Sequence, residues 1–318
     1  MINSKLLCVC LLLFLSFSCQ EAAVILPEEE EEEVPVDSED PNAPPRLWRE
    51  NWLEHELLLT RQYYNDSIVI YHDDDMDPSV TWPRRAATKI WNYTWKTYGA
   101  FGSDIRLKVA LHGGTYGGGH PGYYLSNSHG YINIIDVGLG RHRWLDSVGE
   151  PLDLIAHEIG HIVEGTSYNT LNSPSMPIWG DSKWMEIYQY DVYKALGWAD
   201  KAQNWHKRML VTKDNFPKEN TYWYRDWFYP IYDKYGNVTV LNKYFKLLSQ
   251  HFPTTIIPNG RKYTRDLNFG EFIHFWSGAA GEDLSELALA AFGDKDRHGN
   301  PWQPQFQKAK QDFNAITY

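Results

Sequence analysis

The five residues His157-Glu158-Ile159-Gly160-His161 constrain this chain more than any other stretch. Side chains four apart on a helix point the same way. In helical form the segment therefore sets two imidazoles on one stripe, where they can share a single tetrahedral divalent metal. Glu158 falls about 100° further round the axis, placed to reach a water rather than the metal. The flanks favour a helix over 151–165: Pro151 suits a first turn and Gly165 a stop. Leu152, Ile155, Ile159, Ile162 and Val163 recur at helical spacing and supply an apolar side for burial. Two hydrogen-bonded core histidines beside a solvated glutamate would fit the same letters.

A catalytic metal of this kind takes three protein ligands and leaves one position for water. Glu164 lies seven residues beyond His157, about 10 Å of helical rise, too far to share one ion with both histidines. Position 167, where a third histidine would extend the motif, is serine. The segment 181–193 is the best source. Asp181 or Ser182 can cap a helix running to Gly197, and Glu186, Tyr190 and Tyr193 share one of its faces. Glu186, Asp191 and Asp181 all remain candidate ligands, and Asp191 also suits a role orienting a ligand histidine.

An HExxH followed by a carboxylate on the next helix resembles the gluzincin class of zinc metallopeptidases, and Trp184-Met185-Glu186 resembles the Trp-Leu-x-Glu stretch of its aminopeptidase-type members. The enhancin-like, mucin-degrading peptidases also place a distant Glu after HExxH. The likeness covers roughly residues 104–197. It implies His157, His161 and Glu186 as Zn²⁺ ligands, Glu158 as general base, and a protein, peptide or glycoprotein substrate. It also implies an α+β fold: a zincin-like lobe over 46–198, then a mainly helical lobe over 199–318 closing on the cleft. Members often place a Tyr or His of the later lobe beside the transition-state oxyanion. Tyr229 is the first candidate here, with Tyr224 and His274 as others. The exopeptidase motif Gly-x-Met-Glu-Asn has no clear match; Gly117-Gly118-Gly119-His120 is only a positional echo.

The N-terminal 19 residues read as a targeting segment. Lys5 precedes a short apolar run over 6–17, too short for an ordinary membrane span. Ser16-Phe17-Ser18-Cys19 resembles a bacterial lipoprotein signal, which implies a lipid on Cys19 and attachment to the outer membrane, with display at the cell surface. Plain secretory cleavage near Ala22-Ala23 is the alternative. The three cysteines are 8, 10 and 19, so residues 20–318 hold no disulfide and no thiolate ligand. Residues 20–45 carry ten acidic groups, no basic ones and five prolines, the composition of a solvated tether. The chain's net charge of −11 lies almost wholly there: residues 46–318 hold 29 basic and 31 acidic side chains. A near-neutral body gives no electrostatic case for nucleic acid.

Elsewhere the pattern predicts helices over 46–63, 83–98, 238–251, 269–277 and 284–292, and strands over 67–71, 105–111 and 131–137. The glycine-rich stretch 112–122 reads as a mobile loop, or else as a rim that aligns a substrate backbone. His112 and His120 within it lack ligand spacing. The acidic run 73–77 reads as a polar loop in preference to a Ca²⁺ site. The aromatic run 222–232 suits core packing. Were those rings exposed, the chain would instead suit a surface glycan-binding lipoprotein with a structural metal.

Overall fold

The computed structural model describes residues 41–50, 56–99, 101–145 and 149–318. The expected signal, the bulk of the tether and Cys19 lie outside the described residues. A mixed sheet comes first: β1 (Leu47–Arg49), β2 (Leu58–Tyr64), β3 (Ile68–His72), then helix α1 (Trp82–Tyr98), β4 (Leu107–His112), β5 (Gly117–Gly122) and β6 (Ile134–Leu139). The strands lie in the order β1-β2-β3-β4-β6-β5. β3, β4 and β6 run parallel, while β5 returns antiparallel to β6 along one edge.

Alternation along the parallel strands divides the sheet into two faces. Ile68, Ile70, Leu107, Val109, Leu111, Ile135 and Val137 point into the main core. Val69, Tyr71, Ala110 and Ile134 point the other way, where Leu59, Trp48 and Leu57 cover them. Helices then follow: α2 (Glu150–Thr166), the short α3 (Met176–Trp179) after β7 (Thr170–Leu171), α4 (Lys183–Ala195), α5 (Ala199–Met209), α6 (Tyr229–Lys234) and α7 (Val238–His251). A small β8–β9 hairpin (Thr254–Ile257, Gly260–Tyr263) pairs with β7, ahead of α8 (Phe269–Ala280), α9 (Ser285–Phe292) and α10 (Gln303–Asp312). The fold is α+β with a helical C-terminal region, as expected. One apolar cluster runs from Ile68 to Ile316 without a break at residue 198.

The helix expected over 46–63 is instead the β1–β2 pair with its connection. Its aromatic and leucine side chains serve the outer face of the sheet: Leu59 is fully buried there and the Trp48 ring tilts onto Tyr71 at 5.0 Å. The glycine-rich stretch is strand β5, not a mobile loop. Gly165 does not stop α2, which continues to Thr166; the residue is glycine because an added Cβ would meet the Tyr123 ring at 2.7 Å.

The aromatic run 222–232 is largely core. Trp223, Tyr224, Trp227, Phe228, Ile231 and Tyr232 are all buried. α8 begins with a reciprocal cap, Asn268 accepting from the Glu271 N–H and Glu271 accepting from the Asn268 N–H, and Arg265 clamps the same carboxylate. Within that first turn, Gly270 lets α10 approach so closely that a Cβ would stand 2.1 Å from the Phe306 backbone nitrogen. Backbone cannot yield as a flexible side chain does. Gly270→Ala is therefore expected to lower stability by at least the roughly 1–3 kcal/mol typical of overpacking, read as an earlier urea midpoint at unchanged slope.

Candidate metal centre on helix α2

α2 is buried along most of its length, and two of its acidic side chains, Asp153 and Glu164, are tied to neighbours. Asp153 takes the Tyr193 hydroxyl at 2.7 Å, Lys201 at 2.7 Å and Arg208 at 2.6 Å. Glu164 accepts from the Trp179 indole at 2.5 Å and faces His161 Nδ1 at 3.3 Å. Gly160 brings α4 against α2, since a Cβ there would strike Met185 and Tyr188. That packing sets Gln189 beside His157.

The two histidines converge through Nε2 at 3.1 Å. Two Zn–N bonds at a tetrahedral angle would hold those atoms about 3.3 Å apart. Asp181 supplies the third group: its Oδ1 stands 3.7 Å from His161 Nε2, and all three ligand atoms lie within 4.8 Å of one another. Asp181 follows Gly180, whose φ of 71° turns the chain back from α3 toward α4. Burial and the neighbouring His161 depress His157 to about pKa 4, so it is a neutral imidazole at ordinary pH. Burial also opposes charge on His161, but Glu164 outweighs it and moves the group upward. A carboxylate on Nδ1 fixes the proton there and leaves Nε2 to face a metal.

Glu158 sits beside this group but does not join it. It is almost wholly buried, which pushes its carboxyl up to about pKa 7 against the opposing pull of His161. Its Oε2 has no hydrogen-bond partner among the described residues. Strand β5 passes directly over it. At Gly119 an added Cβ would lie 2.4 Å from Glu158 Oε1, so only glycine admits the carboxylate at that point.

The other sequence candidates lie elsewhere. Glu186 is buried one turn into α4, with its carboxylate toward Lys183 at 3.3 Å and the Tyr224 backbone, not among the ligand atoms. Burial raises it to about pKa 7 in spite of Lys183. Asp191 accepts the hydroxyls of Tyr93, Tyr98 and Tyr232 at 2.7, 2.7 and 2.8 Å, joining α1, α4 and α6. Tyr229 packs on Tyr190, His206 and Tyr224, and the Tyr224 hydroxyl bonds His206 at 2.8 Å. His274 bonds the Tyr318 hydroxyl and the Phe313 carbonyl, a structural role. A residue that pattern reading missed is Tyr123, whose ring packs on Gly165 and which feels the charges of Glu164, Glu158 and Asp181. No periodicity marks it, because it follows the glycine strand. No protein-family model matches the chain, and no curated protein is detectably similar to it.

Asp181→Asn is expected to weaken metal retention at least tenfold on dialysis, with Glu186→Gln keeping the content of the unmodified chain. The reverse pattern would return the third-ligand role to Glu186. Asp191→Ala leaves three hydroxyls without their acceptor and should cost about 3 kcal/mol or more in a denaturant titration, with metal content unchanged.

Proposed function

We propose that the chain is a zinc metallopeptidase of the HExxH class. Zinc is held by His157 and His161 with a carboxylate from the turn before α4, for which Asp181 is better placed than the Glu186 that the gluzincin resemblance implies. The observation that carries the reading is the pairing of two convergent imidazoles with one buried, underbonded carboxylate. A purely structural metal has no use for such a carboxylate. The donor set suits zinc: two imidazole nitrogens and one carboxylate oxygen, open on the Asp181 side, where that residue is 72% exposed.

Bound there, zinc would acidify a water and polarise the scissile carbonyl. Glu158 takes the water's proton as its oxygen attacks the peptide carbon. It later delivers that proton to the amine as the C–N bond breaks. Glu164 holds His161 in place, and Tyr123 is a nearer source of oxyanion support than Tyr229. Strand β5 offers an edge beside Glu158, and its glycines leave room for a substrate backbone to pair along it. The buried aromatic run gives no support to a glycan-stacking surface. Export by a lipid on Cys19, with the acidic stretch as tether, belongs to the same proposal and rests on the sequence alone.

The test is metal content and cleavage of a peptide library by the full chain. One zinc at the α2 site with cleavage that a chelator abolishes is expected. Glu158→Gln should keep the zinc and lose turnover by about 10²–10⁴-fold. Retained turnover in that variant would remove Glu158 from the mechanism. Gly119→Ala should likewise lower turnover with zinc retained, because the added methyl displaces the Glu158 carboxylate.

A further inference from the structure

On the sheet face opposite α2, residues distant in sequence meet around one imidazole. His112 ends β4 and Asp136 lies on β6, both on the outer face, and Glu50 follows β1 across it. His112 Nε2 stands 2.9 Å from Glu50 Oε1 and 2.9 Å from Asp136 Oδ1. Its other nitrogen, Nδ1, meets Asp73 Oδ2 at 3.0 Å. All four side chains are buried.

The geometry points to a second metal site: His112 Nε2, Glu50 and Asp136 hold a divalent cation of the zinc or manganese type. Two carboxylate oxygens converge on a nitrogen that carries at most one hydrogen, so an N–H can be aligned with only one of them. A cation serves both at once. The three atoms lie within 4.8 Å of one another, and opening the nitrogen–oxygen separations by a few tenths of an ångström, to about 3.3 Å, admits a tetrahedral ion. A ligand set of one imidazole and two carboxylates suits Zn²⁺ or Mn²⁺; Ca²⁺ and Mg²⁺ prefer oxygen alone.

The surroundings are arranged as around a metal ligand. Asp73 Oδ2 takes the Nδ1 proton and so turns the Nε2 lone pair toward the carboxylates. Asp73 is itself fixed, its Oδ1 accepting from the N–H groups of Asp75, Met76 and Gly113. The Leu57 N–H holds the second Glu50 oxygen at 3.2 Å.

The test separates this site from the one on α2. The full chain carrying His157→Asn and His161→Asn is dialysed against zinc or manganese, and its metal is measured by elemental mass spectrometry. One equivalent per chain is expected, against two in the unmodified chain. X-ray absorption of that equivalent should show one imidazole among oxygen donors. Adding Asp136→Asn should remove it. A double-histidine variant that binds neither metal, or an absorption spectrum with more than one imidazole, overturns the second site. A remaining equivalent that survives Asp136→Asn does so too. Failure of the α2 reading looks different: the histidine substitutions would then leave metal content as it was.

Discussion

Burial of a polar helix is the constraint on which the rest of the structure depends. α2 carries Asp153, Glu158, His161 and Glu164 into the interior, and an isolated carboxylate there costs several kcal/mol. The neighbouring helices answer that cost residue by residue. α4 and α5 bring Tyr193, Lys201 and Arg208 to Asp153; α3 brings Trp179 to Glu164. Glu158 is the exception, lying against β5 with one oxygen unmatched among the described residues. A fold that satisfies its other buried carboxylates on this helix and leaves that one underbonded keeps a proton acceptor available at the site. The gain is a pKa near neutrality, and the cost falls on stability.

β6 joins the two polar clusters. Its register sets Val137 opposite Gly119, over Glu158, and Asp136 opposite His120, on the reverse face beside His112. Adjacent residues of one strand thus serve opposite sides of the sheet, a direct result of its two-residue period. A shift of one residue in the β4–β6 pairing would carry Asp136 into the main core and destroy both clusters together.

The helix over 150–166 was legible because its apolar residues keep a helical period around the motif, and α1, α4 and α7 were legible for the same reason. Strand β5 was not. Glycines carry no hydrophobic alternation, so a strand made of them looks like a loop until its neighbour is known. The pair β1–β2 was misread because tryptophan and leucine within 46–63 also fit a helical stripe. Spacing drew attention to Glu186 as the third ligand, but it also placed Lys183 one turn away, and that pairing takes the carboxylate. Asp181 gains its position from a left-handed glycine before it, a local turn that periodicity does not report. The His112 group was beyond reach of any spacing rule, since residues 50, 73, 112 and 136 meet only through the sheet order.

Exposure separates the two clusters by chemistry. A catalytic ion must exchange water and receive substrate, so one side of its shell has to open. The α2 group has such an opening: His157 is half-buried and Asp181 lies largely in solvent, while Glu158 is buried. The His112 group does not. Among the described residues, Glu50, His112 and Asp136 are all buried. An ion there would act on the fold, binding the segment at Glu50 to the two central strands at His112 and Asp136. The second of those strands, β6, pairs with the edge strand that places Gly119 over Glu158. On the proposed reading, an ion in the closed site would stiffen the sheet whose edge strand sets Gly119 against the Glu158 carboxylate.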